Sequence, residues 1–197
     1  MTFLAQPYYT AEEYLRLERA ADHKSEFLDG RIYAMAGSSR EHDYIAGSLY
    51  AELRALLRGR SCDVFSGNMR LKVSPAGLYT YPDVSALCGE AQFDDSHVDT
   101  LLNPSVIIEV LSESTERYDR GKKFGLYRKL QTLREYILVA QDLPYIEQYV
   151  RQGELWTFGE INGLESSLVI PTLDCTIALA SIYDRVHFPA AEDVERR

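Results

Sequence analysis

The chain contains the stretches YPDVSAL at residues 81–87 and VIIEVL at residues 106–111, and these two runs decide the fold that the sequence predicts. Both are typical of β-strands, because apolar and β-branched residues dominate them. Each run contains one acid, Asp83 or Glu109. An ionised carboxylate is costly to bury unless it is paired or binds a metal. On neighbouring central strands, these two acids would indicate a divalent-metal site suited to phosphodiester chemistry.

Each acid also has a structural interpretation. Asp83 follows Pro82, and Pro-Asp pairs are common in turns, where the aspartate hydrogen-bonds its own backbone. Glu109 follows three β-branched residues and precedes Val110 and Leu111, so its strand is expected to be buried on both faces. A glutamate there needs a partner, and a buried arginine would serve as well as a metal.

A helix is predicted over about residues 119–130. Its apolar side is formed by Phe124, Leu126, Tyr127 and Leu130. At about 100° per residue, Lys123 points close to the middle of that side, and Asp119 lies one turn earlier. A lysine aimed inward from this position could reach Glu109. The alternative is a lysine that covers apolar surface with its stem and keeps its charge in water.

Local signals outline the other elements. Thr10 and Glu13 form a capping box that opens a helix to about Ala21, and Asp29-Gly30 is the tight turn of a hairpin at residues 27–33. Ser38 and Glu41 indicate a second capping box, opening a helix to about Arg58. Its apolar stripe is Ile45, Leu49, Leu53 and Leu56. Further strands are predicted at 63–66, 69–73, 80–87, 105–111, 135–140, 145–151 and 155–158.

These elements predict one α/β (α+β mixed) domain over residues 1–197, in which helices flank a mixed sheet. His42 lies near the centre of the second helix's apolar stripe, and a core histidine with one satisfied nitrogen is favoured there over a ligand or base. Glu26, just before the hairpin, is by itself typical of an exposed acid.

Composition excludes several classes of protein. The net charge of −9 argues against a general nucleic-acid coat protein, because non-specific affinity for DNA comes mostly from phosphate neutralisation. No apolar run approaches the ~20 residues of a membrane span, and the N-terminal residues have neither the basic segment nor the apolar run of a signal peptide, so none is expected. Three widely spaced cysteines favour reduced thiols in a cytoplasmic protein. Glycine motifs for phosphate are absent, so no organic cofactor is expected.

In several segments the sequence resembles the Uma-type endonucleases of the PD-(D/E)XK nuclease superfamily. The resembling segments are 27–33, 41–42, 81–85, 108–115, 119–123 with Tyr127, and 134–136. Each segment is weak alone, but their order and spacing are fairly specific. The resemblance extends from about Tyr9 to Tyr183.

This resemblance implies a restriction-endonuclease-like core and Mg²⁺ or Mn²⁺ as cofactor. Asp83 and Glu109 would be the metal-binding acids, helped by the backbone carbonyl of Val110, and Glu26 would supply a further carboxylate. The superfamily expects a lysine two residues after the second acid, where this chain has Leu111. Lys123 on the following helix is the residue whose direction fits the missing role.

The predicted activity is metal-dependent endonucleolytic cleavage, with DNA as the expected substrate. Catalysis would involve Asp83, Glu109, Lys123 and Glu26, with His42, Asp119 and Tyr127 as accessory residues. A basic stretch could hold the phosphate backbone, or it could be an ordinary solvated face. Its members are Arg117, Arg120, Lys122, Arg128, Lys129 and Arg134. A homodimer is also expected. The rivals are a non-catalytic nucleic-acid- or protein-binding module that retains a nuclease fold, and an oligomeric interaction protein.

Overall fold

Mixed β-sheets with helices packed against their faces form the body of the protein. The structure is a computed structural model that describes residues 7–74 and 77–188 of the chain. Residues 1–6 lie outside the described residues, and the prediction about a signal peptide falls on them. Both ends of the predicted 1–197 domain also lie outside the described residues.

Four helices are found along the described chain. Helix α1 spans Ala11–Ala20, α2 spans Arg40–Leu56 and α4 spans Leu179–Ile182. Helix α3 spans residues 116–127 and consists of an α-helical turn at Glu116–Tyr118, a π-helical turn at Asp119–Lys123 and an α-helical turn at Phe124–Tyr127. A 3-10 turn occupies Pro171–Leu173.

Thirteen strands are found in the same described ranges. They are β1 Ser25–Leu28, β2 Arg31–Ala34, β3 Cys62–Ser66, β4 Arg70–Val73, β5 Leu78–Thr80, β6 Val84–Cys88, β7 Thr100–Leu101, β8 Val106–Val110, β9 Glu135–Val139, β10 Tyr145–Gln152, β11 Leu155–Asn162, β12 Ser167–Ile170 and β13 Cys175–Ala178. Strands β7 and β12 were not predicted from the sequence.

The central sheet has six strands in the order β11-β10-β9-β8-β6-β3. Its β8–β9 pair is parallel and its other pairs are antiparallel. The strand β8 is buried along its whole length and β6 is its neighbour. The predicted mixed sheet is therefore confirmed, and the two acid-bearing segments are neighbours as expected.

A second sheet has the order β2-β1-β5-β4-β7 and contains the predicted hairpin. Asp29 and Gly30 both have positive φ, 49° and 79°, as a two-residue turn with the twist of a hairpin requires. The predicted strand 80–87 is in fact two strands, because β5 belongs to this sheet and β6 to the central one. Pro82 lies at the crossing, where its missing N–H interrupts no ladder.

Alternation along β8 divides the core between the two faces of the central sheet. Ile108 and Val110 pack with α2 in one hydrophobic cluster, whereas Ile107 and Leu111 pack with α3 in another. Glu109 shares the phase of Ile107, so its side chain points toward α3. Leu111 is 4% exposed in this second cluster, so a lysine at that position would be buried in the core.

The predicted bounds of two helices need correction. The N-cap of α2 is Ser39, whose side chain accepts a hydrogen bond from the His42 N–H, and not Ser38. Leu56, predicted in the apolar stripe, is 42% exposed, and the neighbouring Leu57 takes the buried place. Helix α3 begins at Glu116 rather than Asp119 and ends at Tyr127, before Leu130.

The expectation of three reduced cysteines is wrong for two of them. Strands β3 and β6 pair so that Cys62 lies directly opposite Cys88, and the two form a disulfide. Sequence spacing gave no sign of this contact, because it depends on the register of the two strands. Cys175 is a free cysteine. The cytoplasmic location stays a prediction that the cysteines no longer support.

No helix in residues 7–74 and 77–188 is both long enough and apolar enough to cross a membrane.

Candidate functional site

A cleft of about 1040 Å³ opens where four parts of the chain meet. They are the hairpin, the N-terminus of α2, helix α3, and the ends of strands β6 and β8 in the central sheet. All seven side chains that the sequence predicted for the active site are near it. Six of them line it directly, namely Glu26, His42, Asp83, Glu109, Asp119 and Lys123. The seventh, Tyr127, lies beneath it and hydrogen-bonds Glu109.

Lys123 and Glu109 form the centre of the cleft floor. The Lys123 Nζ lies 2.8 Å from the Glu109 Oε1, and both side chains are almost fully buried. Tyr127 donates a hydrogen bond of 2.8 Å to the same Oε1. The partner of Glu109 is thus a lysine and not the buried arginine considered above, and Lys123 does not extend its charge to water.

The π-helical turn of α3 sets the direction of Lys123. Such turns are rare in proteins overall, but those that do occur are often found at functional sites. Here the turn contains both Asp119 and Lys123, whose Oδ1 and Nζ atoms are 3.5 Å apart, and both side chains point inward. Tyr136 donates a hydrogen bond to the Asp119 carbonyl, which fixes the turn against β9. Lys122, in the same turn, is exposed, as predicted.

Glu26 approaches the centre from the hairpin. Its Oε1 lies 3.5 Å from the Lys123 Nζ, and it accepts a hydrogen bond from the Thr80 hydroxyl. Tyr118 donates a long hydrogen bond of 3.5 Å to the other oxygen. Sequence reasoning missed Thr80 and Tyr118, since neither type stands out in its local pattern. Their role depends on how β1, β5 and α3 meet.

Asp83 enters the cleft from the crossing between the two sheets. Its Oδ2 accepts a 2.8 Å hydrogen bond from the Val110 N–H on β8, so the carboxylate bonds a neighbouring strand and not its own turn. The His42 Nε2 lies 3.2 Å from the same oxygen. His42 is therefore a partner of Asp83 at the first turn of α2, rather than a histidine of the apolar core.

The electrostatics of the cleft are dominated by acids. Burial raises the pKa of Glu109 against the attraction of Lys123, and Asp83 and Asp119 raise that pKa further. Burial likewise raises the pKa of Asp119, with Lys123 opposing. Burial acts against the charge of Lys123, but Glu109, Glu26 and Asp119 outweigh it and raise the pKa of Lys123 well above its ordinary value. One lysine cannot neutralise all these carboxylates.

The pKa of His42 is also raised. Burial opposes its charged form, yet the hydrogen bond and charge of Asp83 outweigh burial. The contact with Asp83 favours the positively charged form of His42, which adds to the charge of Lys123 in the cleft. The cleft still holds more carboxylates than cations.

A divalent cation fits this excess of carboxylates. Carboxylate and carbonyl oxygens are the ligands that Mg²⁺ and Mn²⁺ prefer, and Mg²⁺ is usually held by one or two carboxylates plus waters and substrate phosphates. Within residues 7–74 and 77–188, no three His, Cys, Asp or Glu side chains are grouped closely enough to hold a metal by themselves. Asp83, Glu109 and the Val110 backbone therefore offer a sparse site that a substrate would complete.

The predicted nucleic-acid-binding residues differ in how exposed they are. Arg117, Lys122 and Arg128 are exposed on or just after α3. Arg120 is different, because its guanidinium is 2.6 Å from Glu116 and 2.8 Å from Glu147. Its charge is already neutralised within the fold, which makes it a weaker candidate for a phosphate contact than the other three.

Comparison with known proteins agrees with this architecture. The model of the Uma2 family, described as "Putative restriction endonuclease", matches residues 11–180. An uncharacterized protein from Synechocystis is 37% identical over 155 residues, covering 78% of this chain and 88% of its own. A second protein from the same organism is 36% identical over 148 residues, covering 75% and 77%.

A solved structure provides the fold-level match. The crystal structure of a putative nuclease belonging to DUF820 from Anabaena variabilis aligns with a TM-score of 0.71 at 16% identity, covering 89% of this chain and 98% of its own. Identity this low shows only that the two folds are alike. The family match covers most of the chain, so this protein belongs to the Uma2 family of putative restriction endonucleases.

Proposed function

We propose that this protein is an endonuclease that uses Mg²⁺ or Mn²⁺ to hydrolyse phosphodiester bonds, with DNA as its substrate. One observation supports this most strongly. Asp83, Glu109 and Lys123 come from three separate segments and line one open cleft. Asp83 immediately before β6, Glu109 on the neighbouring β8 and a lysine beside them are the set of groups that the family resemblance predicted, and the family match supports a nuclease.

The proposed metal ligands are Asp83, Glu109 and the Val110 carbonyl. When bound there, the cation would polarise a phosphate and lower the pKa of a coordinated water. The surrounding residues hold the acids ready. Val110 N–H and His42 fix the Asp83 carboxylate, and Tyr127 fixes the Glu109 carboxylate.

Lys123 is proposed to stabilise the negative charge that develops on the phosphate. Three carboxylates stabilise the positive charge on its Nζ. The hydrogen bonds that the Nζ donates are strong because the group is buried. Glu26 and Asp119 keep the ammonium in position. With Glu109 engaged as a metal ligand, Lys123 would keep Glu26 and Asp119 as partners and could donate to a substrate phosphate.

DNA would be held mainly through its phosphates. Three exposed residues lie close in sequence to cleft residues of α3, namely Arg117, Lys122 and Arg128. Because contacts of this kind release counterions, cleavage should fall steeply with added salt. A net charge of −9 also predicts weak activity on arbitrary DNA unless the preferred sequence or structure is present.

We also propose that the protein acts as a C2 homodimer, the commonest symmetric arrangement, so that two clefts cut both strands. The long edge strand β11 supports this, because it exposes Leu155 (74%) and Phe158 (54%). Light scattering should give a dimer mass at tens of micromolar, and a monomer mass would contradict the proposal.

The activity is tested with a panel of supercoiled plasmid, single-stranded DNA, branched DNA and RNA, with Mg²⁺ or Mn²⁺. Wild-type protein should nick or cleave at least one DNA substrate, and Asp83→Ala should not. Cleavage that persists in Asp83→Ala would indicate a contaminating nuclease. Metal binding by calorimetry with no cleavage of any substrate would favour the non-catalytic binding module.

A further inference from the structure

A second pocket lies at the opposite end of α2 from the cleft. It has a volume of about 210 Å³ and is lined by residues from the end of α2 and the start of β3. These are Arg54, Leu57, Arg58, Gly59, Arg60, Cys62 and Val64. Three of the seven lining residues are arginines and none is acidic. The pocket is therefore a concave, positively charged surface on a chain whose net charge is −9.

The pocket is separate from the cleft. From His42 to Arg54 along α2 is twelve residues, or about 18 Å of helix. Strand β6 gives a similar separation, because Val84 follows the cleft residue Asp83 whereas Cys88, at the far end, is bonded to the pocket residue Cys62. A ligand in this pocket would therefore not touch Lys123 or the carboxylates.

The local backbone gathers the arginines. Arg54 is in the last turn of α2, and Arg58 follows the helix in a turn where its N–H bonds the Ala55 carbonyl. Gly59 has a φ of +81° and turns the chain, so that Arg60 follows back toward the helix end. The Arg60 Nη1 donates a 3.2 Å hydrogen bond to the Asp174 carbonyl, which holds this side chain at the pocket.

Nothing in the described residues neutralises these three charges. No ion pair within residues 7–74 and 77–188 includes Arg54, Arg58 or Arg60. The negative end of the α2 dipole offsets about half a charge at most. Three arginines that line one pocket without a paired carboxylate leave N–H donors for an oxyanion, which can accept hydrogen bonds from more than one of them.

We propose that this pocket binds a phosphate group. Guanidinium groups present forked N–H donors that match phosphate oxygens, which favours this ligand over chloride or a single carboxylate. The pocket volume admits one phosphate group with its hydration. The group can come from a nucleic-acid backbone or from a free phosphate ion, and both present the same oxygens to the arginines.

The test measures binding by calorimetry in EDTA at fixed ionic strength, so that metal-dependent cleavage plays no part. Three proteins are compared: the wild type, Arg54→Gln/Arg58→Gln, and Arg16→Gln/Arg31→Gln. The last pair is a control matched in charge, because Arg16 and Arg31 are exposed and line neither pocket. Thermal melting checks that each variant is folded, which is expected because all four side chains are exposed.

Inorganic phosphate should bind the wild type and the control saturably, and its affinity should fall about tenfold or more in Arg54→Gln/Arg58→Gln, since charge-assisted hydrogen bonds are lost. A second titration uses a DNA oligonucleotide without terminal phosphates. A matching loss of its affinity assigns the pocket to a nucleic-acid backbone, and unchanged affinity assigns it to a free phosphate ion.

The proposal is overturned if phosphate does not bind saturably, or if the control pair loses as much affinity as Arg54→Gln/Arg58→Gln. It does not depend on the proposed nuclease activity. Repeating the phosphate titration with Asp83→Ala, which removes a cleft acid and leaves this pocket intact, should give the wild-type affinity whether or not the protein cleaves DNA.

Discussion

Two clusters of charged residues in this protein are built in opposite ways. One is the cleft floor, where Glu26, Glu109 and Asp119 share the single cation Lys123. The other, here called the anchor network, joins α1 to the second sheet with two cations and two anions, Arg19, Arg70, Asp95 and Asp99. The first cluster has too many acids, whereas the second is balanced.

The pKa values follow this difference. In the anchor network, the hydrogen bond from Arg19 outweighs burial and holds the pKa of Asp99 well below its usual value. In the cleft, burial and neighbouring acids raise the pKa values of Glu109 and Asp119. A balanced cluster stabilises the fold. An unbalanced one is costly to maintain, which is typical of sites whose purpose is to bind or react.

The largest expected effect is on activity. Asp83→Ala and Glu109→Ala should each lower cleavage by about 10³-fold or more, because a metal ion contributes several kcal/mol to transition-state stabilisation. Both should also remove Mn²⁺ binding in calorimetry while thermal melting stays cooperative. Equal Mn²⁺ binding by the wild type and both variants would contradict the metal site. The excess of carboxylates in the cleft would then have no explanation.

The two adjacent lysines of α3 give the next largest effect. Lys123→Ala should reduce cleavage by about 10²- to 10³-fold, as is usual when one donor to a developing charge is removed. Lys122→Ala is the matched control, because the same change on an exposed side chain should cost little. Cleavage rates on the preferred substrate measure both. Similar losses of cleavage in the two variants would show that the direction of Lys123 into the cleft does not make it more important for cleavage than Lys122.

In the anchor network the effect should be on stability. Asp99→Asn should lower the free energy of unfolding at pH 7 by about 2–3 kcal/mol, because it removes a charged partner from the buried Arg70. Urea unfolding measures this value. Cleavage by the folded variant should match the wild type, and a selective loss of activity would show that the two clusters are not independent.

The pH dependence has a definite sign. Since the pKa of Asp99 is lower in the folded state than the unfolded value of about 3.9, its contribution is fully present above about pH 5 and is lost as the pH falls. Wild-type stability should therefore fall between about pH 5 and pH 3. The stability of Asp99→Asn should fall less over that window, and parallel curves would contradict the role given to Asp99.

The smallest effect compares two buried glutamates on neighbouring strands. Glu109→Gln should leave thermal stability unchanged or raise it by about 1 kcal/mol, because it removes one charge from an acid-rich cluster. Glu135→Gln should instead destabilise, since Glu135 accepts hydrogen bonds from the Gln148 amide and the Thr172 N–H, both at 2.7 Å. Differential scanning calorimetry without metal would decide, and equal destabilisation would contradict the comparison.

Much of the fold was predictable because its signals are local. The capping box of Thr10 and Glu13 and the Asp29-Gly30 turn are each settled within a few residues. The nearly continuous apolar and β-branched character of residues 106–111 was enough to identify a buried strand. The inward direction of Lys123 was also predictable from the helical stripe, although the stripe could not reveal the π-helical turn that Asp119 and Lys123 share.

Other features depend on contacts between distant segments and were missed for that reason. The Cys62–Cys88 disulfide follows from the register of β3 against β6. The sequence predicts a core histidine at position 42 because the residues that share its helix face are apolar, whereas its partner Asp83 comes from the crossing between the two sheets. Thr80 and Tyr118 became visible only once β5 and α3 were placed beside Glu26.

The sequence by itself determined which residues are candidates for catalysis: two acids in apolar runs and one lysine on an apolar helix face, each recognisable because a charge is costly to bury. Only the tertiary structure decided how these charges add up. Pairing of β6 with β8 and packing of α3 against them place more carboxylates than cations in one cleft. The charge balance of the cleft follows from this packing because it is a property of neighbours in space, whereas the three arginines of the second pocket are already close together in the sequence.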